Sequence, residues 1–227
     1  MRYGIILFDA DQTLFDFKKC EYQALSEALC ELSLPSGKEY IDRYSEINES
    51  LWKKLERGEI EKTRLTLERF ELFCREFSFD CDASVLSELY KARLAEQAIL
   101  IDGAEELVKK LSKDHRLFII TNGIKKVQTG RFSRSPITSS FERIFISEEI
   151  GHEKPKREFF DAVKALIEGF DEKDAIVIGD SLTSDIKGGI GAGIDTCWYN
   201  PEGKEAPEDM PITYVIRDLE EIYAIVD

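Results

Sequence analysis

Ile5-Ile6-Leu7-Phe8-Asp9-Ala10-Asp11-Gln12-Thr13-Leu14 opens with four apolar residues and then stops at two carboxylates. A short continuous apolar run with polar bounds reads as a strand buried on both faces, the kind found in the middle of a parallel sheet. Side chains two apart on extended chain point the same way, so Asp9 and Asp11 can face one site about 7 Å apart along the backbone. Ligands of open α/β sheets bind beyond the carboxyl ends of the strands, which is where this pair falls. One carboxylate could serve as nucleophile and metal ligand while the other moves protons. A strand that merely ends in a polar turn would carry the same residues. The rest of the chain decides between them.

Beyond Leu14 the apolar period becomes helical and stays so to about Gln97, with Leu25, Leu29 and Leu32, then Leu51 and Leu55, then Phe70, Phe73 and Phe77. Turn signals at Leu34-Pro35-Ser36-Gly37, Arg57-Gly58 and Ser78 to Asp82 cut this block into roughly four helices. From Asp102 the texture alternates. Asp102 is expected to cap a helix over Ala104–Ser112, and a strand follows at Leu117–Thr121. A helix over Lys126–Ser133, a strand over Arg143–Ser147 and a helix over Arg157–Ile167 come next. The strand Ala175–Gly179, a helix to Ala192, strands at Thr196–Tyr199 and Thr213–Ile216, and a helix from Leu219 complete the chain. Such alternation builds βαβ units, whose right-handed crossovers put every strand's carboxyl end on one edge. The expected fold is α/β, a Rossmann-like parallel sheet with helices on both faces. Residues 1–14 and 99–227 form this core, and residues 15–98 form an all-helical cap inserted after the first strand, over the functional edge.

Composition narrows the chemistry. A net charge of −14 over 227 residues argues against nucleic-acid polymers as partners, since these require basic surface. A small anionic substrate stays compatible, because a lysine, a metal and helix N-termini can make one site locally positive. Five cysteines, Cys20, Cys30, Cys74, Cys81 and Cys197, form no CxxC pair, and buried, reduced thiols are expected. His115 and His152 are the only histidines, which excludes a histidine-rich metal centre. A catalytic metal must then be held by oxygen, which points to Mg2+. No apolar run approaches the ~18 residues of a membrane span. The first residues lack a signal-peptide pattern, so a cytoplasmic protein with no membrane partner is expected. Gly189-Ile190-Gly191-Ala192-Gly193 imitates a dinucleotide fingerprint, but it closes a helix and precedes a strand, the reverse of that motif's context.

Four strand ends deliver polar residues to one edge: Asp9 and Asp11; Thr121-Asn122-Gly123; Lys154-Pro155; and Gly179-Asp180-Ser181-Leu182-Thr183-Ser184-Asp185. This order resembles the haloacid dehalogenase (HAD) superfamily of phosphohydrolases, with its DxDxT, Ser/Thr, Lys and GDxxxxD elements and its inserted helical cap. The resemblance implies that Asp9 attacks phosphorus, forming an acyl phosphate that water later splits. Asp11 would protonate the leaving oxygen and then activate the water. Thr121 and the backbone amide of Asn122 would donate to phosphate oxygens, and Lys154 would pin the phosphate and Asp9. Asp180 would bind Mg2+ beside Asp9 and the Asp11 carbonyl, with Asp185 acting on the metal's water shell. Singly, each of these residues could equally be a helix cap, a strand-end hydroxyl or an exposed lysine.

Asp11 sets the chain apart from the superfamily's dehalogenases, which lack the second acid, and leaves phosphatases and sugar-phosphate mutases. Asn48–Trp52, Gly58–Ile60, Glu68–Glu71, Ile146–Gly151 and Thr196–Asn200 resemble the YjjG/YfnB type of pyrimidine 5′-nucleotidase. That likeness implies a small phosphorylated metabolite as substrate, a nucleoside monophosphate. Asn48, Trp52 and Arg69 are candidate contacts on the cap's inner face, with Trp52 a stacking surface or else a core residue of the bundle. A sugar-phosphate phosphatase or phosphoglucomutase-type enzyme would share every core motif. A receiver-like domain would lack the large insert, and a non-catalytic binder would be expected to have lost one of the acids.

Overall fold

The computed structural model describes residues 2–226. Among them, six strands form one fully parallel sheet in the order β3-β2-β1-β4-β5-β6. The strands are β1 (Ile5–Phe8), β2 (Arg116–Thr121), β3 (Arg143–Ile146), β4 (Ala175–Gly179), β5 (Asp195–Tyr199) and β6 (Tyr214–Ile216). β1 is central, with Leu7 paired to Phe118 of β2 on one side and to Val177 of β4 on the other. Its four side chains alternate between two cores: Ile6 and Phe8 face one, Ile5 and Leu7 the other. This is why the run is continuously apolar, each buried side chain contributing about 1.5–3 kcal/mol.

The four helices that follow β1 form the insert: α1 (Phe17–Glu31), α2 (Lys38–Glu56), α3 (Lys62–Phe77) and α4 (Ala83–Leu94). They enclose a separate apolar cluster in which the rings of Tyr44, Phe70, Phe73 and Tyr90 pack together. Trp52 packs against this cluster, half-buried. Asp16 caps α1 by accepting from the Lys19 amide at 3.0 Å. The chain leaves and re-enters the core side by side, the Asp16 amide bonding Ile99 O at 3.0 Å and the Ile101 amide bonding Leu14 O at 2.9 Å.

The remaining helices are α5 (Ala104–Leu111), α6 (Lys125–Arg134), α7 (Ser147–Ile150), α8 (Arg157–Leu166), α9 (Lys187–Gly191) and α10 (Ile222–Val226). α8 covers one face of the sheet through Phe159, Phe160 and Val163, while α5 and α10 cover the other. Two expectations are corrected. Gly103, at φ 81°, precedes α5 in place of Asp102, because the chain enters the helix through a left-handed turn that suits glycine. The expected burial of the thiols holds for Cys20, Cys74 and Cys197, whereas Cys30 is exposed and Cys81 intermediate. Among the described residues no helix is long and apolar enough to cross a membrane.

Candidate active site

The site begins where β1 ends. The Asp9 amide still pairs with Ile178 O at 2.8 Å, extending the ladder one residue and fixing the first carboxylate beside the end of β4. Lys154, 1% exposed, reaches in from the loop before α8. Its ammonium donates to Asp9 Oδ1 at 2.6 Å, Asp185 Oδ1 at 2.6 Å and Ile120 O at 2.7 Å. All three of its protons are therefore engaged, and in this arrangement it would act on a phosphate through charge. Asn122 does not point its side chain outward. It staples the lysine's backbone, accepting from Lys154 N at 2.9 Å and donating to Lys154 O at 2.8 Å.

Asp180 and Asp185 follow β4. The Trp198 indole donates to Asp180 O at 2.8 Å and holds the loop. A π-helical turn over Leu182–Ile186 swings Asp185 inward, where it is fully buried. Asp185 Oδ2 accepts from the Ser181 amide at 3.1 Å while Oδ1 takes Lys154, so each oxygen of its carboxylate holds one donor. Asp9, Asp180 and Asp185 each bring an oxygen within 4.8 Å of the others. Burial first, then the neighbouring carboxylates, push Asp9 up to about 7 and hold Asp180 well above the usual aspartate range. Burial alone would lower the Lys154 pKa, but Asp185 and Asp9 outweigh it and keep the ammonium charged. Three carboxylates against one ammonium leave a deficit of positive charge. The all-oxygen donor set fits a hard divalent cation such as Mg2+, whose binding would favour the ionised acids.

The second acid has partners that the sequence reading did not anticipate. Arg131 Nη1 forms an ion pair with Asp11 Oδ1, and Gln128 Nε2 donates to Asp11 Oδ2 at 2.7 Å. Gln128 Nε2 also donates to Thr121 Oγ1 at 3.0 Å, and the Gly123 amide does the same at 3.0 Å. With both donors arriving at its oxygen, the Thr121 hydroxyl keeps its own proton for an acceptor in the site. Gln128 and Arg131 are 1% and 0% exposed and lie one turn apart on α6. A signal for them existed in the sequence. α6 carries few apolar residues, so a helix flanking the sheet at that position has to bury polar ones.

The helical insert touches the site at two points. Glu56, at the end of α2, accepts from Thr183 Oγ1 at 2.5 Å and from Ser181 Oγ at 3.4 Å. Lys62, at the start of α3, donates to Ser147 Oγ at 2.6 Å. Thr183 follows β4 and Ser147 follows β3, and the strands between them are β1 and β2. The turn Arg57–Glu61 therefore crosses the ends of the strands that carry Asp9 and Thr121, a span of roughly 14 Å at ordinary strand spacing. A cleft of about 650 Å³ lies on its β3 side, walled by Leu55, Ile60, Lys62, Ile124, Glu153 and Lys156 among others.

Asn48 and Arg69 sit elsewhere than expected on a substrate-facing surface. They are 3% and 1% exposed in the interior of the helical bundle. Asn48 donates to Glu21 at 2.8 Å and accepts from Arg69 at 2.9 Å, and Arg69 lies over the rings of Phe70 and Tyr90. The physical reason is Glu21, a buried carboxylate on α1 that needs donors.

The model of the haloacid dehalogenase-like hydrolases matches residues 6–199, and the chain belongs to this family. It is a HAD-family phosphatase, a phosphoric monoester hydrolase. It is 38% identical to the pyrimidine 5′-nucleotidase PynA of Streptococcus pneumoniae, with 100% of this chain and 96% of that protein covered. Identity to the pyrimidine 5′-nucleotidase YjjG of Escherichia coli is 31%, covering 98% of this chain and 97% of the relative. The HAD-hydrolase YfnB of Bacillus subtilis is 39% identical over 100% of this chain and 96% of its own length. The crystal structure of YfnB bound to magnesium, described as revealing interdomain movement, matches with a TM-score of 0.95 over 100% of both chains.

Proposed function

We propose that this phosphatase hydrolyses nucleoside 5′-monophosphates, pyrimidine nucleotides foremost, through an aspartyl-phosphate on Asp9 with Mg2+ as cofactor, in the cytoplasm. The observation that carries the reading is the meeting of Asp9, Asp11, Thr121, Lys154 and Asp180 at one sheet edge beneath the Arg57–Glu61 turn. Relatives named pyrimidine 5′-nucleotidases along their full length support the choice of substrate.

Asp9, anchored by Lys154, attacks phosphorus, and the ester oxygen leaves as an alcohol with a proton from Asp11. The Thr121 hydroxyl and the Asn122 amide donate to phosphate oxygens, and Lys154 adds fixed positive charge. Water then attacks the acyl phosphate, its proton passing to Asp11. Mg2+, when bound, supplies the remaining neutralising charge, held by the carboxylates of Asp9 and Asp180 and the Asp11 carbonyl. Asp185, held by Lys154 and Ser181, supports that set from behind.

The test is phosphate release from a panel of nucleoside monophosphates and sugar phosphates with Mg2+, with chelator, and with Asp9→Asn. Metal-dependent release from UMP, dUMP or dTMP, lost in the variant, is expected. Release from sugar phosphates alone would overturn the nucleotide assignment, and metal-independent release would overturn the cofactor.

A further inference from the structure

We propose that Arg131 is the positioning residue for Asp11, setting the second acid's carboxylate relative to the two backbone connections that carry the helical insert. The inference rests on the reading of Asp11 as the proton donor to the leaving group.

Asp11 lies on the strand-to-insert connection, its side chain 27% exposed to the site, and nothing on its own segment fixes its rotamer. Arg131 does so from behind. Its guanidinium is completely buried and pairs through Nη1 with Asp11 Oδ1. Nε donates to Gln97 O at 3.0 Å, on the returning connection. Its carbon Cζ lies 4.3 Å from the ring centroid of Phe15, on the outgoing connection, and 5.9 Å from that of Phe17, the first residue of α1. Nη2 reaches Cys20 Sγ at 3.6 Å, in the first turn of α1. One planar group thus joins the acid, the exit and the return of the insert. Gln128 completes the clamp from the same face of α6, taking the other Asp11 oxygen and linking it to Thr121.

The ion pair alone would satisfy a buried arginine that only stapled the two connections, and the Gln128 bond to the second Asp11 oxygen goes beyond that need. Both carboxylate oxygens are instead held by donors on one rigid helix, the arrangement that fixes a side chain's direction. A proton donor that must line up with a departing oxygen depends on such direction, and loss of alignment slows only the step that transfers the proton. The leaving group therefore reports on Arg131. An alkyl ester, such as a nucleoside 5′-monophosphate, needs a proton on its departing oxygen, whereas p-nitrophenolate departs without one.

The experiment compares kcat/KM, which reads the steps through alcohol release, for UMP and p-nitrophenyl phosphate in wild type, Arg131→Met and Arg131→Lys. Arg131→Met is expected to lose about a hundredfold toward UMP, within the range of general acid catalysis, and less than about threefold toward the aryl ester. Arg131→Lys, which keeps a cation against Asp11, is expected to recover at least about tenfold toward UMP. Equal losses on both esters, or no loss on either, would overturn the proposal and leave Arg131 a structural staple. If Arg131→Met does not fold, the ester ratio of Arg131→Gln against wild type is read in its place, and an unchanged ratio overturns the proposal. A wild type inactive on both esters would instead remove the phosphatase reading of Asp11, and the inference with it.

Discussion

The Lys154 ammonium lies 2.6 Å from Asp9 Oδ1, so one cation both orients the carboxylate proposed to attack phosphorus and offsets its charge. Lys154→Met leaves Asp9, Asp180 and Asp185 facing one another without it. Turnover is expected to fall by about 10²–10³-fold, the usual effect of removing one electrostatic anchor. Without metal the variant should be less stable by about 3–5 kcal/mol, the cost of breaking a buried pair. Thermal unfolding and steady-state kinetics check both, and an unchanged kcat would remove Lys154 from the chemistry.

Stability should depend on pH and metal together. Asp9 ionises near 7 in the folded protein without metal, above its ordinary value of 3.8, and Asp180 shifts the same way. The folded state then binds more protons than the unfolded chain between those values, so metal-free stability drains away as pH rises from about 4 to 7. Mg2+ binds the ionised acids and reverses this. The stabilisation on adding Mg2+, read as a rise in Tm, should therefore be larger at pH 8 than at pH 5, and it reaches about 2.7 kcal/mol at a hundredfold excess over Kd. An equal rise at both pH values would count against carboxylate ligation.

Glu56 fastens the insert to the loop carrying Asp180 through Thr183 and Ser181. Glu56→Ala should weaken closure of the Arg57–Glu61 turn by about 1 kcal/mol, the net worth of such a bond. The expected readout is a KM for nucleotide raised about fivefold, together with faster hydrogen exchange in the turn. Exchange identical to wild type would show that the contact does not hold the turn.

Arg69→Ala tests a structural role against a substrate role. It strips the Glu21–Asn48 network of its cation inside the bundle, and a loss of about 3 kcal/mol in stability is expected. The folded fraction should keep its nucleotide KM within about twofold. Trp52→Ala should behave alike, because its ring packs against the bundle's apolar cluster. A tenfold rise in KM for either would return that residue to the substrate surface.

The sheet was legible because its strands are short apolar runs that end at chemistry-bearing residues, and such runs have one good home, between helices. Asp9, Asp11, Thr121, Lys154 and Asp180 stood out for the same reason, each occupying a strand end or the loop beyond it. Gln128 and Arg131 did not, since a glutamine and an arginine on a helix ordinarily face water. Only the shortage of apolar residues in α6 hinted otherwise. Asn48 and Arg69 misled in the opposite direction. Their polarity suggested a ligand surface, while the group they serve, Glu21, lies on another helix and could not be paired with them by spacing. Glu56 and Lys62 gain meaning only from the strand order, which places Thr183 and Ser147 on opposite sides of Asp9.

The insert departs after Leu14 and returns at Ile101 through two backbones that bond to each other. Its ends meet, so in the covalent chain it is a cassette plugged in at a single socket, steadied by Glu56 and Lys62. A different bundle fitted between those residues would leave Asp9, Lys154 and Asp180 where they stand. If the insert selects the substrate, as the proposed function implies, bond breaking and the choice of which molecule is broken are written in separate stretches of the gene, and selection can revise one without rewriting the other.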